Sequence, residues 1–365
     1  MENLIYILAL RTVNGIGNKL AERLLLKFDS AKDIFSLSED ELIECEGVTR
    51  KLASSIRSFS DWGSVEKAIK KSEKLGFKIY SLLDKNYPVN LLNLYEKPTV
   101  IYVLGDVKKE DENSVAIVGS RICSSYGKKV AQNLSRQLAE RGITIISGMA
   151  RGIDSISHKA AVDFGGRTIA VMGSGLDRIY PPENMRLYKL ISENGAVISE
   201  FSLGTPPDAQ NFPQRNRLIS GLSKGVIIVQ ASKQSGSLIT ANFALEQNKE
   251  VFAVPGNIDS RLSEGTNLLI KKGAKLIENA DDVIDELTLI SDYKIKKKAG
   301  NVEVINNLNS EEKIVLESIG SIQLYIDEII DKTKIEHKKL FSILLDLELK
   351  GILEQLPGKI YQVKY

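Results

Sequence analysis

Five short apolar runs within residues 114–256 constrain the fold more than any other feature of the chain. Each run leads into a turn of glycine or small polar residues, and stretches with helical apolar spacing separate the runs. The runs cover residues 115–118, 143–146, 169–172, 226–229 and 251–254. Buried strands that alternate with amphipathic helices are typical of a parallel sheet. The sequence therefore predicts an α/β fold with a Rossmann-like, doubly wound, mostly parallel sheet.

The turns after these runs suit phosphate but carry no nucleotide fingerprint. In doubly wound sheets, ligands bind at the carboxyl ends of the strands, where helix N-termini favour anions. The turn Gly173-x-Gly175-x-x-Arg178 has arginine where the dinucleotide fingerprint has its third glycine, and no G-x-x-x-x-G-K-[ST] motif occurs. The sequence therefore predicts a phosphate-binding edge and no bound cofactor.

Residues 212–217 combine an aromatic side chain, a helix-starting proline and two arginines. A guanidinium group offers a planar fork to phosphate oxygens, and an aromatic face stacks on a base with little sequence preference. Gly236 and Ser237 then open another helix, whose N-terminus is a second predicted anion-binding position. This segment predicts a site for a nucleic-acid backbone and a stacked base.

Four motifs in this order and spacing resemble the DNA-processing protein A family, also called DprA or Smf. The resemblance covers roughly residues 80 to 287. The motifs are Val118-Gly119-Ser120-Arg121, Ser147-Gly148-Met149-Ala150-Arg151-Gly152-Ile153-Asp154, Phe212-Pro213-x-Arg215-Asn216-Arg217-x-Ile219-x-Gly221-Leu222-Ser223 and Ser235-Gly236-Ser237-Leu238-Ile239-Thr240-Ala241.

The resemblance implies a function in DNA recombination without catalysis. It implies a Rossmann-like core that binds single-stranded DNA, forms a homodimer and protects incoming strands. It further implies help in loading a RecA-type recombinase onto strands coated by single-strand-binding protein, during natural transformation of competent cells. These functions are expectations that come from the family and not from composition or spacing.

The candidate DNA-binding residues lie in the loops after the predicted strands and in the helix starts that follow. We expect Arg121 and Arg217 to hold backbone phosphates, Phe212 to stack on a base, and the helix N-termini after Gly119, Gly148 and Gly236 to support the phosphates. The full set is Gly119, Ser120, Arg121, Ser147, Gly148, Arg151, Gly152, Gly173, Phe212, Arg215, Asn216, Arg217, Gly236 and Ser237.

Several of these residues have a second interpretation that the sequence leaves open. Gly119 and Gly148 also fit ordinary turns between a strand and a helix. Arg151 could contact phosphate or pair with Asp154 in its own loop. Arg215 and Arg217 are two positions apart on the predicted helix and point in different directions, so we expect one to meet phosphate and the other to order the loop.

The chain is predicted to contain three folded parts and one linker. Residues 1–80 form a helical SAM-like domain, residues 81–290 the single-strand-binding core, residues 291–308 a linker and residues 309–365 a winged helix. Helices at 311–319, 325–331 and 335–349, followed by strands at 352–355 and 360–363, indicate the winged helix.

Two copies of a helix-hairpin-helix turn are predicted within residues 1–80. Gly15 and Gly17 lie in the first copy and Gly47 in the second, so only the first copy keeps both glycines. Such turns can present backbone N–H groups to phosphates. Residues 1–112, however, hold 17 Lys and Arg against 18 Asp and Glu. We therefore favour an orienting or protein-interaction role over DNA binding.

The charge distribution favours the α/β core as the nucleic-acid surface. Residues 113–287 hold 20 Lys and Arg against 17 Asp and Glu, whereas residues 307–365 hold 8 against 10. The small excess in the core predicts a local pocket and not a broad basic face. The acidic balance of the last domain makes duplex binding its less favoured role.

Composition excludes several other classes of protein. Only Cys45 and Cys123 are present, without a C-x-x-C pair, so neither a disulfide framework nor a zinc site is predicted. No run of the chain approaches the ~20 apolar residues of a membrane span, and residues 1–10 lack the features of a signal peptide. We expect a cytoplasmic protein with no membrane partner.

The alternative function is enzymatic. The core also resembles the Rossmann-like nucleotide phosphoribohydrolases of the lysine-decarboxylase-like type, whose P-G-G-x-G-T-x-x-E loop holds a catalytic glutamate. The corresponding loop here, Ser235-Gly236-Ser237-Leu238-Ile239-Thr240, has no carboxylate within one turn, and Glu246 lies too far along the helix. The sequence assembles no general base, so no catalytic residue is assigned.

Overall fold

A computed structural model describes residues 2–28, 30–287, 308–319, 324–350, 352–356 and 360–363. The chain divides into two compact units, Met1–Leu289 and Ile290–Tyr365. Almost all of the predicted linker lies outside the described residues, as do Pro357 and Gly358 between the last two predicted strands. The predicted domain boundary near residue 80 stays a prediction. No helix in the described ranges has the length and apolar character needed to cross a membrane.

The first unit begins with six helices, and two pairs of them flank the predicted hairpin turns. Gly15 and Gly47, in the turns of the two predicted copies, have the same left-handed backbone angle, φ +94°. This equivalence matches the repeat seen in the sequence. The helices are α1 (Glu2–Thr12), α2 (Asn18–Lys27), α3 (Ala31–Ile34), α4 (Glu39–Ile43), α5 (Arg50–Arg57) and α6 (Trp62–Lys74).

These helices share their apolar core with one face of the sheet that follows. Val13 and Ile16 of the first hairpin belong to the same buried cluster as Met172 and Val197 of the sheet region. Burial of apolar surface in one continuous cluster stabilises both parts together. The helical hairpins and the sheet are therefore packed as one body.

The first unit contains a nine-stranded, mostly parallel sheet in the order β1-β2-β6-β5-β4-β3-β7-β8-β9. Strands β3 to β9 run parallel, whereas β1 and β2 are antiparallel to their neighbours. The strands are β1 (Lys78–Ser81), β2 (Val100–Gly105), β3 (Ser114–Val118), β4 (Thr144–Ser147), β5 (Thr168–Val171), β6 (Gly195–Ser199), β7 (Gly225–Ile228), β8 (Glu250–Ala253) and β9 (Lys275–Leu276).

The predicted doubly wound fold is confirmed, and its strand order fixes where a ligand can bind. The five apolar runs of the sequence form β3, β4, β5, β7 and β8, each displaced by no more than one residue. From β3 the chain adds strands on one side as far as β6 and then returns to place β7 on the other side of β3. A crevice opens at such a switch point, at the carboxyl ends of β3 and β7.

The helices that connect the strands cover the two faces of the sheet. They are α7 (Val89–Leu92), α8 (Ser125–Glu140), α9 (Ile153–Asp163), α10 (Met185–Asn194), α11 (Asn211–Leu222), α12 (Ser237–Glu246), α13 (Glu264–Lys271) and α14 (Ala280–Leu287). Helix α11 makes the return from β6 to β7 and begins beside the crevice.

Helix α11 is held at its carboxyl end by a half-buried lysine. The Lys249 ammonium donates to the carbonyls of Ser220, Gly221 and Ser223, at 2.7, 2.6 and 2.5 Å. Burial lowers the pKa of Lys249 to about 8. A cation bonded to the last carbonyls of a helix satisfies acceptors that have no partner within the helix. The lysine therefore fixes the end of α11 that lies away from its start at Asn211.

The second unit has the predicted winged-helix fold. Its strands form one sheet in the order β10-β12-β11, and its helices pack on an apolar cluster that includes Val315, Leu340 and Leu344. The elements are α15 (Ser310–Ile319), β10 (Leu324–Tyr325), α16 (Ile326–Thr333), α17 (His337–Leu349), β11 (Leu353–Leu356) and β12 (Ile360–Val363).

Replacing Gly152 with alanine should destabilise the first unit. Gly152 has φ +76°, and a Cβ there would lie 2.6 Å from the Arg121 carbonyl oxygen and still closer to that of Ser120. The strained backbone alone costs ~1–2 kcal/mol in the free energy of unfolding, and the clash adds to this cost. Gly63→Ala is the control, because α6 leaves open space there. Equal free energies of unfolding for the two variants in urea would contradict this packing.

Candidate nucleic-acid interface

A cleft of about 860 Å³ opens at the switch point between β3 and β7. Its walls come from the loop after β3, the start of α11 and the loop before α12. The lining residues are Val118, Gly119, Ser120, Arg121, Ile122, Ala150, Asp154, Tyr180, Pro207, Ala209, Phe212, Pro213, Arg215, Asn216, Ile219, Ser232, Ser235, Gly236, Ser237, Ile239, Thr240 and Leu262. The predicted loops therefore converge at one place.

Two aromatic side chains lie together in this cleft. The rings of Phe212 and Tyr180 have centroids 5.7 Å apart and are tilted by 45°. Phe212 is half-buried because its ring packs on Gly173, where a Cβ would come 2.8 Å from the ring atom Cδ1. The absence of a side chain at Gly173 therefore leaves room for the Phe212 ring. The pair leaves an aromatic surface open to the cleft.

Three guanidinium groups surround the aromatic pair. The Cζ atoms of Arg121 and Arg215 lie 5.4 and 5.8 Å from the Phe212 ring centroid, and that of Arg151 lies 5.8 Å from the Tyr180 centroid. Contacts of this length are attractive because the ring face is electron-rich. The arrangement places positive charge next to a stacking surface, as nucleotide binding requires.

Tyr180 is the site residue that sequence reasoning missed. It follows the Gly173–Gly175 turn on the loop after β5 and precedes two prolines. That loop leaves the carboxyl end of a strand, so its one aromatic residue could have been placed on the ligand side of the sheet. The only sequence signal for Tyr180 was therefore its position after a strand, since it belongs to none of the four motifs.

Arg121 and Arg151 differ in their partners. Within the described ranges, Arg121 is exposed and forms no ion pair. The exposed Arg151 pairs with Glu183, with Nη2 3.2 Å from Oε2. The alternative pairing of Arg151 with Asp154 is wrong, since Asp154 is buried and bonds to backbone. Arg121 is thus the cation most available to a phosphate.

The carboxylate of Asp154 lies in the turn between β4 and α9, where a bound anion would otherwise lie. Its Oδ2 atom accepts from the backbone N–H groups of Gly148 and Ala150, at 3.2 and 3.4 Å. Burial raises the pKa of this carboxyl group, and the nearby Arg215 opposes the shift. The predicted anion-binding N-terminus after Gly148 is therefore occupied from within, which corrects that part of the site.

The two arginines of α11 are both buried. Arg215 donates through Nη1 to the Gly148 carbonyl at 2.6 Å and to that of Val171, and burial lowers its pKa to about 10. Arg217 donates to the Glu96 carbonyl at 2.8 Å and pairs with Glu200. The structure contradicts the assignment of Arg217 to a phosphate, because its guanidinium lies outside the cleft. Arg215 is the residue that orders the loop.

Two further backbone donors near the cleft have partners within the chain. The Ser120 N–H donates to the Gln230 carbonyl at 2.7 Å, and the Ser237 N–H faces Ser235 Oγ at 3.4 Å. Helix α8 begins at Ser125, after a loop, and not directly after Gly119. Side chains therefore offer more to an anion here than the predicted helix N-termini do.

The structure sorts the predicted site residues into three groups. Those that line the cleft are Gly119, Ser120, Arg121, Phe212, Arg215, Asn216, Gly236 and Ser237. A smaller pocket beside it is lined by Gly148, Arg151 and Gly173, together with Arg121, Tyr180 and Phe212. Ser147, Gly152 and Arg217 line neither, and the Ser147 hydroxyl donates to the Ile117 carbonyl inside the core. DNA contact by the first two groups stays a prediction.

Family models match each folded part of the chain. Residues 78–288 match the model described as DNA recombination-mediator protein A. Residues 303–359 match the DprA winged helix domain, and residues 7–59 match a SAM-like helix-hairpin-helix tandem. The first of these matches alone spans more than half of the chain.

Relatives with known names agree with the family models. Protein Smf of Escherichia coli is 37% identical over 322 residues, which cover 87% of this chain and 85% of that protein. The X-ray structure of DNA processing protein A from Streptococcus pneumoniae has a TM-score of 0.68 at 36% identity, covering 77% of this chain and 97% of that one.

A third relative is described by how it binds DNA. DNA processing protein A from Helicobacter pylori, whose structure concerns its single-stranded DNA binding mode, has a TM-score of 0.53 at 35% identity. The match covers 58% of this chain and 95% of that one. On the family models, these relatives and the shared fold, the chain belongs to the DNA recombination-mediator protein A family, whose members are called DprA or Smf.

Proposed function

We propose that this protein binds single-stranded DNA in the cleft at the switch point, without catalysis. The observation that carries the proposal is the pair of aromatic rings, Tyr180 and Phe212, flanked by the guanidinium groups of Arg121, Arg151 and Arg215. Aromatic faces next to cations are the features that bind single strands with little sequence preference. The Helicobacter pylori relative, described as binding single-stranded DNA, supports the same substrate.

In the proposed complex one unpaired base stacks on the exposed face of the Phe212 and Tyr180 pair. Arg121 holds the adjoining phosphate, since its guanidinium is exposed and has no ion-pair partner in the described part of the chain. Arg151 exchanges its exposed partner Glu183 for a second phosphate at low cost, because exposed ion pairs are weak. Arg215 supports the ring from within.

We expect the cleft to favour single strands because its aromatic rings are partly enclosed by the chain. Phe212 is half-buried and packs on the turn at Gly173. A base in a duplex is already stacked and paired, and it cannot stack on a half-buried ring without leaving its helix at a cost of a few kcal/mol. An unpaired base avoids that cost. Weak sequence preference follows, since every base has a π-face.

The hydrolase alternative lacks a suitably placed base. Glu246 lies at the far end of α12, ~14 Å along the helix from Ser237. Glu200 is buried in an ion pair with Arg217, and burial lowers the pKa of His158 to about 3. Asp154 does line the cleft, but its carboxylate accepts two backbone N–H bonds. A binding role fits these groups better than catalysis does.

The family suggests the biological setting of this binding. We propose that the protein protects incoming strands and helps to load a RecA-type recombinase onto DNA coated by single-strand-binding protein, in natural transformation and recombination. We also propose a homodimer. Exposed apolar side chains of Ile258, Leu268 and Leu276 line a groove at the β9 edge of the sheet, and this surface suits a second copy of the chain.

Replacing Arg121 with alanine should weaken binding to single strands of any sequence. The loss of one phosphate contact should reduce the slope of log affinity against log salt by ~0.7. Arg136→Ala is a matched control, because Arg136 also lies over an aromatic ring, 5.6 Å from the centroid of Phe164, but neither residue lines the cleft. Titration of a labelled oligonucleotide at several salt concentrations measures both quantities.

The pair of variants separates local from general electrostatics. Each substitution removes one positive charge, so a general effect of net charge would shift both proteins equally. Unchanged affinity and salt slope in Arg121→Ala, or equal losses in both variants, would show that this cleft is not the phosphate site.

A protein that ends at Leu287 should keep most of its affinity for single strands. It retains the cleft, the aromatic pair and the more basic part of the chain, whereas residues 307–365 are acidic overall. We expect the winged helix to act in partner contacts or assembly on DNA. A loss beyond about tenfold, or ~1.4 kcal/mol, in a titration at one salt concentration would identify the winged helix as a principal DNA contact.

A further inference from the structure

A buried polar network outside the cleft joins the first hairpin to helix α11. The Glu200 carboxylate, directly after β6, pairs through Oε2 with Arg217 of α11 and accepts from the Asn18 side-chain amide at 3.3 Å. Asn18 in turn accepts from the N–H and hydroxyl of Thr99, at 3.2 and 3.3 Å. The side chains of Glu200 and Arg217 are only 5% and 8% exposed.

In this network the Glu200 carboxylate lies beside the start of helix α2. This helix has Gly17 at its N-cap, without a side-chain cap and without an acidic residue in its first turn. The N-terminus of such a helix favours a negative charge nearby. Asn18, the first residue of α2, is buried and donates its side-chain amide to Glu200, whereas Gly15 and Gly17 in the turn are exposed. The network therefore ties α2 to the core through Asn18.

Stability alone does not account for this network. Among the described residues, Glu200 Oε1 and Arg217 Nε have no hydrogen-bond partner. A buried ion pair with unsatisfied atoms gains little over apolar side chains of the same size, because both charges lose their water. The network does, however, fix the positions of its side chains. The charges of Glu200 and Arg217 compensate each other in only a few side-chain positions.

The geometry that it fixes is that of the cleft. Arg217 is two residues from Arg215 and five from Phe212 on the same helix, so Glu200 acts on a rigid element whose other side chains form the stacking site. We propose that Glu200 is a positioning residue that couples the N-terminal hairpin to the placement of Phe212, and so sets the affinity for single strands. This inference rests on the proposed function of the cleft.

The first variants to compare are Glu200→Gln and Asn18→Ala in the full-length protein. The glutamine variant leaves the Arg217 charge buried and unpaired, and it can fail to fold for that reason. Asn18→Ala keeps the ion pair and removes the bonds of the Asn18 side chain to Glu200 and Thr99. A folded Asn18→Ala protein therefore decides the question if the glutamine variant does not fold. Thermal unfolding identifies the variants that are folded at the temperature of the binding assay.

The matched control is Glu22→Gln. Glu22 of α2 pairs with Lys97 at 2.8 Å across the same packed region, and both side chains are largely buried. Among the described residues, neither side chain forms a hydrogen bond or an ion pair with α11. The Glu22→Gln substitution therefore weakens the attachment of the hairpin and leaves the bonds of the helix that carries Phe212 in place. A role in stability alone would lower the melting temperature and the affinity of all three variants in parallel.

A double-mutant cycle with Phe212→Ala provides the decisive readout, using an oligothymidine probe. Glu200→Gln and Asn18→Ala should each weaken binding about fivefold, whereas Glu22→Gln should change it by less than about twofold. In the Phe212→Ala background the first two substitutions should lose most of their effect, because the ring that they position is gone.

The outcomes separate this inference from the function on which it rests. If Phe212→Ala weakens binding but Asn18→Ala has no effect in a folded protein, or has the same effect in both backgrounds, the positioning role is overturned and the cleft stands. If the wild-type protein does not bind the probe, or if Phe212→Ala binds as well as the wild type, the proposed function fails and the positioning role fails with it.

Discussion

The architecture of this protein depends on how helix α11 is held while it carries three successive polar residues. Arg215, Asn216 and Arg217 point in three directions about 100° apart. Arg215 bonds to carbonyls at the ends of β4 and β5, Asn216 reaches Gly236 at the start of α12, and Arg217 pairs with Glu200 after β6. One helix turn thus connects the ends of β4, β5 and β6 with the start of α12. Phe212 begins the same helix, so its placement is set by all three contacts.

A carboxylate of the chain itself occupies a position that would otherwise suit phosphate. Asp154 accepts from N–H groups of the β4–α9 turn, whereas Glu200 accepts from the side chain of Asn18 at the start of α2. The β4–α9 turn has the form of a phosphate-binding site, yet Asp154 satisfies it from within. The exposed cation that remains in the cleft without an ion-pair partner, within the described ranges, is Arg121. The proposed binding of a strand therefore rests on stacking and a few phosphate contacts, and not on a cradle of backbone amides.

The sequence predicted the fold better than it predicted the site. Apolar runs and turn residues report local structure, so the strands and the winged helix could be placed closely. Arg217 was misassigned because helical spacing shows that Arg215 and Arg217 diverge but does not show which partner each one meets. That partner is Glu200, brought close only by the return from β6. Tyr180 was missed for the same reason, since its contact with Phe212 joins the loop after β5 to the start of α11.

The most direct test of this account compares one oligonucleotide sequence as a single strand and as a duplex, titrated with the full-length protein over a range of salt concentrations. Stacking with one or two phosphate contacts predicts a preference for the single strand of at least about tenfold and a salt slope of magnitude ~0.7–1.4. Equal affinity for the duplex, or a slope several times steeper, would show that a broad electrostatic surface, and not the aromatic cleft, binds the DNA.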